Sequence, residues 1–478
     1  MNRIKKISKF ERDSSVVIIA AKNSNFDNCG LTADEIIYVE AQIEAKIENI
    51  ALNRTGRWTF VQTVDTQNNV DKEMEKMRCK AFKLHKIIVQ QKICSLTIIN
   101  KIENHVWSYA FAEGITLSNY QFLKYISKKD DKKNHLLELA IMGEIDDIDV
   151  EKLNCVIDAV YKTRNLVNEP ASVITPTTLA AEFVAMGNDA GFNVQVFDKS
   201  AIAAMQMGGI LSVNKGSKEP PTYSVLEWKP SFAKNKRPIV LTGKGLTYDT
   251  GGHSLKTGDY MNDMKCDMAG GAVVSSVIHA VAKMQIPVYL VGLIPSTDNR
   301  LSAEAISPGD IITISDGTTV EVVNTDAEGR IILADALVFA KKYDPELVIN
   351  VATLTGAAQR AIGNKGIAAM SNASQTVTDL LKNCGKTVHE RIAEFPLWEE
   401  YAEELKSNVA DLKNIGGENA GMITAGKFLE HFTSYPFIHL DIAGVAYAKN
   451  TDSYRSKGGT GVGVRLLFEF MNKILLHF

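Results

Sequence analysis

The pattern of apolar and polar positions divides the chain into two regions. Val16 to Ala20, Trp58 to Val64 and Ser95 to Asn100 are short runs rich in β-branched and aromatic residues, and they predict strands. Leu31 to Ala51 and Lys72 to Gln91 alternate with them and carry polar helical patterns. The first 150 residues therefore read as a mixed α/β domain. Lys128 to Lys133 (KKDDKK) predicts a solvated loop near a domain boundary.

A helix is expected from about Val150 to Asn168, stopped by Glu169-Pro170, because the residue before a proline disfavours helix. Thr175-Pro176-Thr177 reads as an N-cap followed by proline in the first turn, opening a helix to Ala190. Apolar strands are then expected at Ile239–Gly243, Val288–Leu293, Glu346–Ala352 and Phe437–Ile442. Helices are expected at Met268–Met284 and Arg330–Lys341. Such alternation predicts an α/β domain whose mostly parallel sheet is flanked by helices. Asp316-Gly317 marks a hairpin between Asp310–Ser315 and Thr319–Asn324. The expected division is an N-terminal α/β domain at 1–150, a linking helix at 151–170 and a larger catalytic domain at 171–478.

Composition narrows the function. The 478 residues are 45% hydrophobic and 23% charged, which is globular rather than disordered. A net charge of -3 gives no reason to expect a broad basic face for nucleic acid or anionic membrane. The run Val16–Ala21 is too short for a signal-peptide core, and no stretch has the length of a membrane span. Six cysteines without CxxC spacing argue against a zinc finger or a disulfide framework, so a cytoplasmic protein with free thiols is expected.

Two segments concentrate the chemistry. One runs from Lys244 through Asp249 and Lys256 to Met264-Lys-Cys-Asp267, and the other is Asn324-Thr-Asp326-Ala-Glu328-Gly-Arg330. Each begins where an apolar strand ends, which is where ligands bind in open α/β sheets. Asp249, Asp267, Asp326 and Glu328 would converge there with two lysines and an arginine. Four carboxylates in one dry crevice repel each other, and two divalent cations would balance them. A pair of metals about 3.5–4 Å apart is the usual arrangement of di-metal hydrolases. A P-loop at Gly243-Lys244 fails on glycine spacing, and HExxH and GxSxG are absent. His253 is a loop histidine that could also serve as a ligand, and His279 is expected on a packed helix.

The motifs NTDAEGR, GKGLTYDTGG, SLK and MKCDMAGG resemble the leucyl aminopeptidase (cytosol aminopeptidase) family of dinuclear-zinc metallopeptidases. Arg164–Pro170, Thr353–Gly356, Ala410–Gly417 and His439–Val445 extend the resemblance over roughly residues 160 to 470. It implies that Asp249 and Glu328 bridge two metals, zinc or manganese, with Lys244 and Asp267 completing one site and Asp326 the other. Lys256 would polarise the scissile carbonyl, and Arg330 would hold a bicarbonate ion as auxiliary base. Met264, Asn324, Thr353, Leu354, Gly356, Ala443 and Ala446 would lie around the substrate. Ala446 stands where well-studied members carry a methionine, and His253 where they more often have an aliphatic residue or tyrosine. The implied activity is release of N-terminal residues, mostly hydrophobic, from peptides by a homohexamer whose active sites face an interior cavity. Two alternatives remain: a dipeptidase acting on substrates such as cysteinyl-glycine, and a DNA-binding regulator, hinted at only by Arg3, Lys5, Lys6 and Lys9.

Overall fold

The computed structural model describes residues 3–10 and 14–475; the remaining positions of the expected ranges, 1, 2, 11–13 and 476–478, lie outside the described residues. The chain forms two compact units, one of residues 1–158 with 450–456, the other of 159–449 with 457–478. The helix Asp147–Asn168 contains the division between them.

The N-terminal unit is built on a six-stranded sheet in the order Lys5–Ile7, Glu138–Met142, Ser95–Asn100, Ser15–Ala20, Arg57–Thr63, Asn49–Arg54. Only the last pair is antiparallel. Ser15–Ala20 (SVVIIA) is buried along its whole length, as an apolar parallel strand covered on both faces should be. Val16, Ile18 and Ala20 pack in one cluster with Val39 and Ile43, which lie on the helix Ala33–Glu44. Truncating Ile18 there would cost about 2–5 kcal/mol. The helix expected over Leu31–Ala51 is shorter than its pattern suggested. It ends at Glu44, Lys46 takes a left-handed φ of 60°, and Asn49–Arg54 becomes an edge strand. The expected loop at Lys128–Lys133 contains a single helical turn, Lys129–Lys132, with no buried residue.

The second unit holds a nine-stranded sheet. Its main path is Ile392–Phe395, Ile367–Ser371, Phe437–Asp441, Leu347–Ala352, Ile239–Gly243, Leu290–Asn299, Thr222–Trp228, Asn193–Phe197. Gly245–Asp249 pairs with Leu290–Asn299 off that path. The central strands Phe437–Asp441, Leu347–Ala352, Ile239–Gly243 and Leu290–Asn299 are mutually parallel. Thr242, Asn350 and His439 form a buried row across three of them, with Thr242 Oγ1 donating to Asn350 Oδ1 (2.7 Å) and Asn350 Nδ2 2.8 Å from His439 Nδ1. The helix Ala269–Lys283 packs on these strands so closely that a Cβ on Gly270 would lie 2.1 Å from the Val351 carbonyl oxygen. Thr175 caps the helix Pro176–Ala190 by accepting from the Thr178 amide, and the hairpin pairs Ile311–Thr313 with Thr319–Glu321 around Gly317. Among the described residues no helix is long and apolar enough to cross a membrane, and none of the six cysteines forms a disulfide.

Candidate metal centre

The carboxyl ends of the central strands deliver the charged groups. Lys244 follows Ile239–Gly243, Asp249 ends Gly245–Asp249, and Thr353 follows Leu347–Ala352. Asp267 precedes the helix Ala269–Lys283, and Asp326 lies just before the helix Glu328–Ala340. All of them line one cavity of about 560 Å³. Lys256, Met264, Asn324, Glu328, Arg330, Leu354, Gly356 and Ala443 line it too. Ala446 does not. It is buried, its N–H on the Ile442 carbonyl and its own carbonyl accepting from Thr460. His253 adjoins the lining residue Ser254, with Nδ1 2.9 Å from the Ile306 carbonyl oxygen. His279 is buried on the helix Ala269–Lys283, with Nε2 2.7 Å from Asp189 Oδ2.

The acids interleave with the lysines. Lys244 Nζ lies 2.8 Å from Asp267 Oδ2 and 2.9 Å from Glu328 Oε1, and donates to the Thr353 carbonyl at 3.1 Å. Lys256 Nζ lies 2.7 Å from Asp249 Oδ2 and 2.6 Å from Asp326 Oδ1. One oxygen from each of Asp249, Asp326 and Glu328 falls within 4.8 Å of the other two. The glycine of the NTDAEGR motif has a steric purpose: a Cβ on Gly329 would sit 2.4 Å from Lys244 Cε, so a side chain there would push the lysine from its place between Asp267 and Glu328.

Charge is unbalanced. Four carboxylates face two lysines and Arg330, and burial followed by the charge of Asp249 pushes Glu328 up to about 8. The same two causes raise Asp326 to about 6, and burial raises Asp267. Burial alone would lower both lysines, but the surrounding carboxylates outweigh it and raise them. Glu328 Oε2 and Arg330 Nε are buried without hydrogen-bond partners. An orphaned carboxylate oxygen beside two further acids fits divalent cations, with oxygen donors suited to zinc, manganese or magnesium. An orphaned buried guanidinium N–H fits a small anion.

Several positioning groups escaped sequence reasoning. Asn414 is fully buried; its side chain accepts from the Val323 and Asn324 amides and donates to the Asn324 carbonyl, while its own carbonyl accepts from Arg330 Nη1 at 2.9 Å. Asn299 Nδ2 donates to Asp249 Oδ1 (2.9 Å) and to the Thr325 carbonyl (3.0 Å). Asp441 accepts from the Leu354 and Ala443 amides and from Thr355 Oγ1, fixing the loop that carries Thr353. Asn414 and Asp441 sit inside the motifs that carry the resemblance, whereas Asn299 has no local signal.

The chain is similar to known proteins over most of its length. Residues 161–468 match the catalytic domain of the cytosol aminopeptidase family. A probable cytosol aminopeptidase of Chlorobium limicola is 41% identical over 384 residues, covering 76% of this chain and 75% of that protein. Its counterpart in Chlorobaculum tepidum is 43% identical over 374 residues, covering 75% of this chain and 74% of the other. Among solved structures, the bottromycin maturation enzyme BotP in complex with Mn superposes with a TM-score of 0.84 at 26% identity, over 97% of this chain and 100% of that one. A mutant tomato leucine aminopeptidase gives a TM-score of 0.86 at 26% identity, over 99% of this chain and 97% of that one. The chain belongs to the cytosol aminopeptidase family.

Proposed function

We propose that the protein is a dinuclear metal-dependent aminopeptidase that releases N-terminal residues, leucine and other mostly hydrophobic ones, from peptides. The observation that carries this reading is the convergence of Asp249, Asp267, Asp326 and Glu328 with Lys244 and Lys256 in one cavity of a cytosol aminopeptidase domain. Asp249 and Glu328 would be shared by two ions, Lys244 and Asp267 would complete one set of ligands, and Asp326 the other. Zinc is the first expectation and manganese the second, the latter supported by the Mn complex of BotP. When bound, the ions supply Lewis acidity and a place for the free α-amino group, which restricts the reaction to chain ends.

The chain's own groups do the rest. Lys256 keeps its charge beside the acids and reaches into the cavity, so its ammonium can hold the negative charge that develops on the scissile carbonyl oxygen. Lys244 must offer a lone pair to act as a ligand, and a nearby dication would favour that neutral form. Arg330 presents an unpartnered N–H for bicarbonate, which would stand in for a base where, among the described residues, no histidine lines the cavity. Asn324, Met264, Leu354, Gly356 and Ala443 would contact the substrate. Assembly as a homohexamer and residence in the cytoplasm belong to the same proposal. Leucine amide cleavage by the purified protein tests it: activity should vanish on dialysis against a chelator and return with zinc or manganese, and undiminished activity in metal-free protein would overturn it.

A further inference from the structure

Four cations line the cavity, and three have defined work. Lys244 and Lys256 are ion-paired to the carboxylates, and Arg330 is buried and bonded to the Asn414 carbonyl. Arg360 is different: it is exposed and has no hydrogen bond or ion pair within the described structure. Its backbone is nevertheless well anchored. It lies on the helix Gly356–Ile362, whose cap Thr355 accepts from the Ala358 amide and donates to buried Asp441 at 2.7 Å. The guanidinium folds back toward the start of that helix, where a Cβ on Gly356 would lie 3.4 Å from Arg360 Nη1.

Gly356 is only three residues beyond Thr353, whose carbonyl accepts from Lys244. That places it at most about 11 Å along the chain from the acid cluster. A dipeptide carries its C-terminal carboxylate one residue beyond the scissile bond, about 3.8 Å further on, and a tripeptide about twice that. An unengaged guanidinium at this distance matches a free carboxylate in charge and in its paired N–H geometry. Of the other three cations, Lys244 and Lys256 are paired to carboxylates, and Arg330 is buried with its Nη1 on the Asn414 carbonyl.

We propose that Arg360 is a carboxylate subsite, which makes short peptides with a free C-terminus, dipeptides and tripeptides, the favoured substrates of this cavity. The proposal rests on the aminopeptidase reading, and its test separates the two. Initial rates of leucine release are compared for leucyl-alanine and its C-terminal amide, each of which yields one leucine per cleavage, with metal-loaded wild-type protein, Arg360→Met and Arg360→Lys. The wild type should favour the free acid in kcat/KM by about fivefold, as a partly solvated ion pair allows. Arg360→Met should remove the preference chiefly through KM of the acid, Arg360→Lys should keep part of it, and high salt should shrink it in the wild type. Equal acid-to-amide ratios in wild type and Arg360→Met, with both substrates cleaved, would overturn the subsite and leave the aminopeptidase standing. No leucine release from either substrate would overturn both.

Discussion

The molecule buries two clusters of charge, and they behave oppositely. In the N-terminal unit Arg78 pairs with Glu113 and lies 3.4 Å from Glu75, while Glu75 also accepts from Tyr454 Oη at 2.9 Å and has Arg455 at 4.0 Å. Two acids there meet two arginines and a phenol. In the catalytic domain four acids meet two lysines and Arg330, an oxygen of Glu328 is left without a partner, and three carboxylates are pushed upward. The first cluster is electrically closed and needs nothing more. The second is open, and its missing positive charge is what divalent ions would supply. Buried charge alone therefore does not mark a site; an unpaid charge balance does.

Removing one acid from each cluster should separate them. Glu328→Ala should abolish metal retention and lower leucine amide turnover by more than about 10²-fold, exceeding the loss typical of an outer hydrogen-bond partner. Metal analysis and kcat check it, with circular dichroism confirming the fold. Glu113→Ala leaves Arg78 without that partner, so stability should fall by about 3–5 kcal/mol in denaturant unfolding while bound metal stays unchanged. If the N-terminal change emptied the metal site as well, the contrast would collapse. Lys256→Met should sharpen it from within the open cluster: both ions kept, rate reduced by roughly 10²–10³-fold.

The smallest expected effect is on pH dependence. Glu328 has a folded-state value raised from the ordinary 4.5 to about 8, and Asp326 is raised to about 6. Groups raised on folding contribute stability that is present at low pH and lost as pH rises through the folded value. Metal-free protein should therefore melt at progressively lower temperature from about pH 4.5 to about pH 8, and metal-loaded protein should lack this decline. Scanning calorimetry of the two forms measures it.

What the sequence disclosed follows from how the information is written. The acids and lysines of the cavity lie in two contiguous segments, Lys244–Asp267 and Asn324–Arg330, so spacing and charge exposed them together. Ser15–Ala20 and Ile239–Gly243 were legible because parallel strands buried on both faces are continuous apolar runs. Gly245–Asp249 was not, because GLTYD has no strand pattern of its own and is held by pairing with Leu290–Asn299. Asn49–Ala51, the start of the strand Asn49–Arg54, looked helical because its composition continues the preceding helical pattern, and the left-handed turn at Lys46 is not encoded by glycine. Asn299 acts through buried hydrogen bonds to the distant Asp249 and Thr325, which no local pattern announces, and the bonds of Asn414 to Val323, Asn324 and Arg330 do not follow from the motif that contains it.

The most direct test of the open cluster is a count of ions. Chelated, refolded-free protein is titrated with zinc, passed through a desalting column and analysed for bound metal, alongside Asp249→Ala. Two ions per chain in the wild type, and fewer in the variant, is the predicted result. A wild-type chain that retains no zinc or manganese, yet cleaves leucine amide at full rate, would contradict it.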